Sequence, residues 1–220
     1  MNKIKHTSLV ILVFISSFTI FSCDEGINIF TVQDDVALGL QVEQEIYNNT
    51  QEYPIFRGDP AIKNYINNNI LQAILASPKI ERANVFQYSV EIIARDDVLN
   101  AFVLPGGRMF VYTGLLKYLD SEAALAGILA HEVAHAEERH ATERMTKQYG
   151  ISILIGIILG DKPSQLAEIA ANLFAGLTLL ANSRADEDQS DLRSFEYLQD
   201  TKYYPGSVKF FFEKMRDEGL

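Results

Sequence analysis

Three of the four histidines in this 220-residue sequence, His131, His135 and His140, fall inside a single ten-residue window. The first two belong to His131-Glu132-Val133-Ala134-His135, an HExxH pattern. At roughly 100° per residue, a helix puts these imidazoles about 40° apart and one turn along the axis, so both can reach one metal ion. Glu132 stands beside that face, where its carboxylate can accept a proton from metal-bound water. Zinc lowers the pKa of such a water toward about 7 and polarises a peptide carbonyl, and the glutamate takes the proton as the water attacks. One zinc ion per chain is the cofactor this pattern predicts. The bland alternative is a solvated helix with histidines on its edge. The Ala/Leu/Ile-rich approach to the motif argues instead for a buried helix, in which a His pair needs partners that a metal supplies.

A third ligand is still required. On an unbroken helix His140 lies five residues past His135, about 140° round. No glycine in Ala136-Glu137-Glu138-Arg139 turns the chain back, so His140 is expected to make a hydrogen bond or line the cleft. The segment Ser183-Arg184-Ala185-Asp186-Glu187-Asp188-Gln189-Ser190-Asp191 offers acids from a second helix. Glu187 and Asp191, at spacing four, share a face. Glu187 can ligate the metal, while Asp191 either hydrogen-bonds a ligand imidazole or donates a proton late in the reaction. Asp186 and Asp188 point to either side and are expected to be solvated, and Arg184 is a further cleft candidate.

The elements that must position these groups follow from local pattern. A helix is expected over Asp35 to Asn49 with Val36, Leu40, Ile46 and Tyr47 on one face. Asp59-Pro60 opens another, with Ile62, Ile66, Ile70 and Ile74 at spacing four. A strand is expected from Val85 to Ala94. Two short strands or one bent strand follow around Pro105-Gly106-Gly107. Asp120 or Ser121 caps the motif helix, which is predicted to run to about Gln148. Ile151 to Leu159 forms a core helix or cleft wall, with contact at a lipid surface as the alternative, and a helix capped by Ser164 runs to about Ala181. Leu192 to Leu220 is helical around a turn at Tyr203-Tyr204-Pro205-Gly206.

The N-terminus has a different character. Lys3 and Lys5 precede a thirteen-residue uncharged stretch, Leu9 to Phe21, too short for a permanent membrane span. Cys23, the only cysteine, follows Ser22 and resembles the cysteine of a bacterial lipobox, although Phe21 is bulkier than the usual occupant. The expected organisation is a signal peptide at 1–22, a tether at 23–34 and a domain at 35–220. An ordinary secretory leader is the alternative. Removing the leader leaves 17 basic against 29 acidic side chains, a net charge of −12. That balance argues against nucleic acid as a partner. It fits a lipid-anchored protein of the bacterial envelope facing the periplasm, with inner and outer membrane both open.

The blocks NAFVLPGGRMFVYTGLL (Asn100 to Leu116), ILAHEVAHAEERHA (Ile128 to Ala141) and SRADEDQSD, in that order, resemble peptidase family M48, the HtpX-like and Oma-like zinc endopeptidases. The resemblance implies an α+β, mostly helical gluzincin-type fold with a small sheet beside the HExxH helix. It implies zinc ligands His131, His135 and Glu187, Glu132 as catalytic base and Asp191 as candidate proton donor. It also implies a cleft-bordering strand to which substrate adds as a further strand, and unfolded or misassembled envelope proteins as substrates. Ser190 stands where relatives usually have Ala. Relatives also commonly continue into a Thr-His-Pro segment beyond the last helices, which leaves open a short variant or a truncated sequence. Two rivals remain: an adaptor or chaperone of the same fold with latent or absent proteolysis, and a zinc hydrolase acting on a non-peptide bond. The intact Glu132 favours catalysis, because a structural zinc site needs no carboxylate beside its first ligand.

Overall fold

A computed structural model describes residues 27–150 and 183–219. The leader, Cys23 and the apolar segments 151–159 and 164–181 lie outside the described residues.

Helix α1 spans Val32–Asn48 and starts from a capping box: the Thr31 side chain accepts from the Asp34 N–H, and the Asp34 carboxylate accepts from the Thr31 N–H. Packing begins further upstream than the expected boundary at Asp35. Phe30 is buried, and the Asn28 amide donates to Thr142 Oγ1 at 2.9 Å, so the last part of the expected tether belongs to the domain. The inward stripe of α1 also differs from the expected one. Asp35, Leu38, Gly39, Val42, Glu43 and Ile46 are buried, whereas Leu40 and Tyr47 are exposed. Apolar type alone misplaces the stripe because two acids face inward, Asp35 to pair with Arg139 and Glu43 with Arg108.

The isoleucine-rich segment is helical but not uniformly α. Helix α2 (Pro60–Tyr65) passes into a π-helical segment, Ile66–Leu71, and then into α3 (Gln72–Leu75). A row at spacing four drifts about 40° per step on an α-helix, and the wider π turn keeps Ile66, Ile70 and Ile74 in the core while Ile62 stays exposed. Asn67, inside this segment, acts as a short surrogate strand. Its amide donates to the carbonyls of Lys63 and Val90 and accepts from the Val90 N–H.

Three strands follow: β1 (Ser89–Ile93), β2 (Ala101–Val103) and β3 (Arg108–Tyr112), in the order β1-β3-β2. β1 is shorter than its expected span, since Val85 and Phe86 close turns onto the Arg82 carbonyl. β1 runs parallel to β3, and β2 runs antiparallel to it. The β2–β3 connection has Pro105 and then Gly106 at φ 80°, with the Gly107 N–H donating to the Leu104 carbonyl at 3.0 Å, a type II turn. Gly39 of α1 sits against this turn, where a Cβ would lie 1.8 Å from the Pro105 carbonyl oxygen.

Central strand β3 divides the core by its period of two. Met109 and Val111 join the larger cluster with β1, the π segment, and the helices carrying the motif. Phe110 and Tyr112 face the opposite way, into a smaller cluster with α1 and Met145. The sheet is thus covered on both faces.

Helix α4 (Thr113–Tyr118) leads to α5 (Glu122–Glu137), whose N-cap Ser121 accepts from the Ala124 N–H. Nearly every side chain of α5 is buried, as its apolar composition predicts. Its last residue, Glu137, anchors the helix to the segment before β1 by accepting from the N–H groups of Glu81 and Arg82 and from the Tyr88 hydroxyl. The helix does not continue to Gln148. Arg139 adopts φ 59°, ψ 32°, and the chain restarts as α6 (His140–Tyr149). After the undescribed segment come α7 (Arg184–Leu198), with its own Ser183–Asp186 capping box, and α8 (Val208–Glu218). Among the described elements, α7 packs most extensively against α5.

Candidate metal centre

Burial of α5 between sheet and helices fixes the orientation of the HExxH residues. His131 and His135, both buried, aim their Nε2 atoms at one point and lie 2.9 Å apart there. Glu187, in the first turns of α7, completes the group with carboxylate oxygens 3.4 Å from each of these nitrogens. All three ligand atoms fall within 4.8 Å of one another. Four ligands held tetrahedrally about 2.0–2.1 Å from zinc are separated by about 3.4 Å. The two spacings to Glu187 match that separation, the 2.9 Å between the imidazoles is shorter than it, and the two-nitrogen, one-oxygen donor set suits that ion. On α7, which packs closely on α5, Ser190 and Ser194 are small and fully buried.

The far sides of both rings are held. Asp191 Oδ1 lies 2.9 Å from His131 Nδ1. Of the two roles left open for Asp191, the observed contact is the hydrogen bond to a ligand imidazole. His140 Nδ1 lies 2.8 Å from His135 Nδ1, and His140 Nε2 lies 3.1 Å from Gln189 Oε1 on α7. His140 is outside the ligand group, as expected, although the premise of an unbroken helix does not hold. The left-handed Arg139 is what swings His140 back beneath His135.

The electrostatics favour a cation. Burial opposes a charge on His131, but hydrogen bonds with Asp191 and Glu187 and the negative charge of Glu132 outweigh it and lift the ring to about 10. Burial lowers His135, partly countered by Glu187. Burial pushes the Glu132 carboxyl up to about 7. The nearby His131 and the Val103 N–H, which donates to the carboxylate, oppose that rise, and Glu187 adds to it. A carboxyl near neutrality can both take and return a proton.

These groups open into a cleft of about 580 Å³. One wall is the edge strand β2 with its flanks, Leu99 to Pro105, and a second is lined by Val208, Phe211 and Phe212 of α8. The sequence reading missed that second wall, for which the Phe210-Phe211-Phe212 run was the available signal. It also missed Arg144, one turn beyond His140 on α6, which lines the cleft. Arg184 is exposed at the start of α7 and is not among the lining residues. Asp188 is exposed as expected, but Asp186 is buried, because it serves the α7 capping box.

Known proteins match the same region. A family model described as Peptidase family M48 matches residues 60–216. The mitochondrial metalloendopeptidase OMA1 of Schizosaccharomyces pombe is 34% identical over 125 residues, covering 56% of this chain and 36% of that protein. The beta-barrel assembly-enhancing protease of Escherichia coli K12 is 27% identical over 169 residues, 73% of this chain and 34% of that protein. OMA1 of Saccharomyces cerevisiae is 29% identical over 159 residues, 68% of this chain and 46% of that protein. The chain thus spans between about a third and a half of these relatives' lengths. With a family model covering most of its residues, and the HExxH helix and Glu187 inside the matched region, the chain belongs to peptidase family M48.

Proposed function

We propose that this chain is a zinc-dependent metalloendopeptidase in which His131, His135 and Glu187 hold the ion and Glu132 is the general base. The convergence of the three ligand atoms, with Glu132 beside them at the cleft, carries this reading. Zinc held there supplies a more acidic water and a polarised substrate carbonyl. Glu132 takes the proton from the attacking water and returns it to the leaving amine, a task matched to a carboxyl lifted toward neutrality by burial. Asp191 and His140 keep the two imidazoles aimed, and Asp191 acts on the reaction through His131. The exposed edge of β2 suits an extended peptide, bound as an added strand along one wall while α8 receives apolar side chains. Backbone-directed binding of this kind fits unfolded or misassembled envelope proteins as substrates.

Anchoring through a lipidated Cys23 at the periplasmic face of a bacterial membrane belongs to the same proposal and rests on the sequence around that cysteine. Incorporation of labelled fatty acid that is lost in Cys23→Ala tests it. Among the described residues no helix is long and apolar enough to cross a membrane.

The catalytic reading is tested by incubating the full chain and its Glu132→Gln variant with casein while measuring bound zinc. The variant is expected to retain zinc and lose proteolysis by about 10²-fold or more. Equal cleavage by both proteins would refute the role of Glu132. Zinc binding with no cleavage by either would favour the adaptor.

A further inference from the structure

Behind His135 runs a chain of hydrogen bonds whose direction is dictated by chemistry. At its outer end the Glu138 carboxylate, fixed by Arg193 Nε at 2.6 Å, faces the side-chain nitrogen of Gln189 at 2.7 Å. A carboxylate offers only acceptors, so the Gln189 amide must present its NH2 to Glu138 and its oxygen to His140. That oxygen lies 3.1 Å from His140 Nε2, which must therefore carry the ring proton. In the neutral ring His140 Nδ1 is then a lone pair. It faces His135 Nδ1 at 2.8 Å and Ser190 Oγ at 3.4 Å, both able to donate. With its proton on Nδ1, His135 turns an unprotonated Nε2 toward His131 Nε2 and Glu187.

We propose that Glu138, Gln189 and His140 form a directional relay that sets the tautomer of His135, so that its Nε2 lone pair is presented to the metal before the ion arrives. Glu138 and Gln189 are positioning residues of the centre although neither touches it. Reversal of any link has a defined consequence. If Gln189 turned its oxygen to Glu138, two acceptors would face each other, and its NH2 would pair with a His140 nitrogen that must then be unprotonated. His140 would donate from Nδ1 to His135, and the His135 proton would move to Nε2, where it blocks ligation. The relay also joins the two ligand-bearing helices, since Gln189 follows Glu187 by two residues on α7 while Glu138 caps α5. This inference rests on the proposed ligation by His135 Nε2.

The test uses the full chain, with zinc affinity measured by chelator competition and ring tautomers read from imidazole ¹⁵N shifts in the metal-free protein. Gln189 is exposed, so Gln189→Met removes the link without opening the core. It is expected to weaken zinc binding by about 10- to 100-fold and to give His135 a mixture of tautomers. The double variant Glu138→Gln/Gln189→Glu keeps the polarity. Residue 138 then accepts from Arg193 and donates to a carboxylate that in turn accepts from His140 Nε2, so affinity should return most of the way to wild type. A steric role for Gln189 predicts no such rescue. Wild-type affinity in Gln189→Met, failure of the double variant to recover, or a His140 proton on Nδ1 in the wild type each overturns the relay. If His131→Ala leaves the zinc affinity of the wild type unaltered, the ligand assignment itself is wrong, and that result is separate from the others.

Discussion

Arg139 combines two opposing contributions whose balance can be measured. As a non-glycine residue at φ 59°, ψ 32°, it carries roughly 1–2 kcal/mol of backbone strain. Its guanidinium offsets this by pairing with Asp35, whose side chain is only 2% exposed, and by donating to the Phe30 carbonyl. Removing one partner of a buried ion pair costs about 3–5 kcal/mol, because the other charge is left uncompensated. Arg139→Ala should lose that amount and keep the strain. Arg139→Gly loses the same pair but relieves the strain, against about 0.5–1 kcal/mol of extra chain entropy. The glycine variant should therefore be the more stable of the two by up to about 1.5 kcal/mol, the reverse of the usual Ala–Gly order.

The pH dependence has a definite sign. Burial raises Asp35 above its ordinary 3.8, and Arg139 opposes that rise through a hydrogen bond and through its charge. A carboxyl raised in the folded state binds its proton more tightly there than in the unfolded chain. Its ionisation therefore costs stability as pH climbs from about 3.8 through the folded value. Deleting Arg139 removes the opposing contributions, so the rise grows and the penalty extends to higher pH. In urea denaturation, the loss caused by Arg139→Ala should be larger at neutral pH than near the unfolded carboxyl value. Equal losses at the two pH values, or alanine more stable than glycine, would refute both the pairing and the strain assigned to this residue.

Two further substitutions probe elements that carry the site. Gly39→Ala places a Cβ where the Pro105 carbonyl oxygen now sits, so α1 and the β2–β3 turn must separate, with a loss of about 1–3 kcal/mol by thermal or urea unfolding. An unchanged midpoint would mean that this contact is not tight. Asn67→Ala leaves the Val90 N–H and carbonyl unpaired beside the π segment and should cost about 2–3 kcal/mol. Hydrogen exchange at the Val90 amide should rise in the same variant, and unaltered protection there would count against the surrogate-strand role.

Much of the fold was legible where local chemistry admits one solution. Pro105-Gly106-Gly107 demanded a turn, and the chain forms two strands around a type II turn there. Ser121 was among the named caps of the motif helix, and the apolar composition of α5 signalled burial on all sides. Legibility failed where tertiary contacts override type. The α1 stripe was misread because Asp35 and Glu43 are buried with arginines that lie 104 and 65 residues away in sequence, and no local pattern encodes such a pairing. The isoleucines at spacing four did carry information about the π segment, since that period is longer than the α-helical one.

The candidate metal centre divides in the same way. His131 and His135 needed only helical geometry, and Glu187 and Asp191 needed a second helix with an i, i+4 pair of acids, so the inner group could be reached from spacing. The groups behind it could not, because they depend on a break that the sequence does not announce. Glycine is the usual residue at φ near +60°, and Arg139 occupies that conformation because Asp35 and the Phe30 carbonyl hold it there. Only with that break does His140, five residues beyond His135, come to lie under it and reach Gln189. On an unbroken helix His140 would be turned away from His135, and with the break it lies behind that ring, outside the group of His131, His135 and Glu187. The break converts a residue that an unbroken helix would have turned away into the group that backs His135. The distant α1 carboxylate is in this way connected, through one strained residue, to the aim of His135.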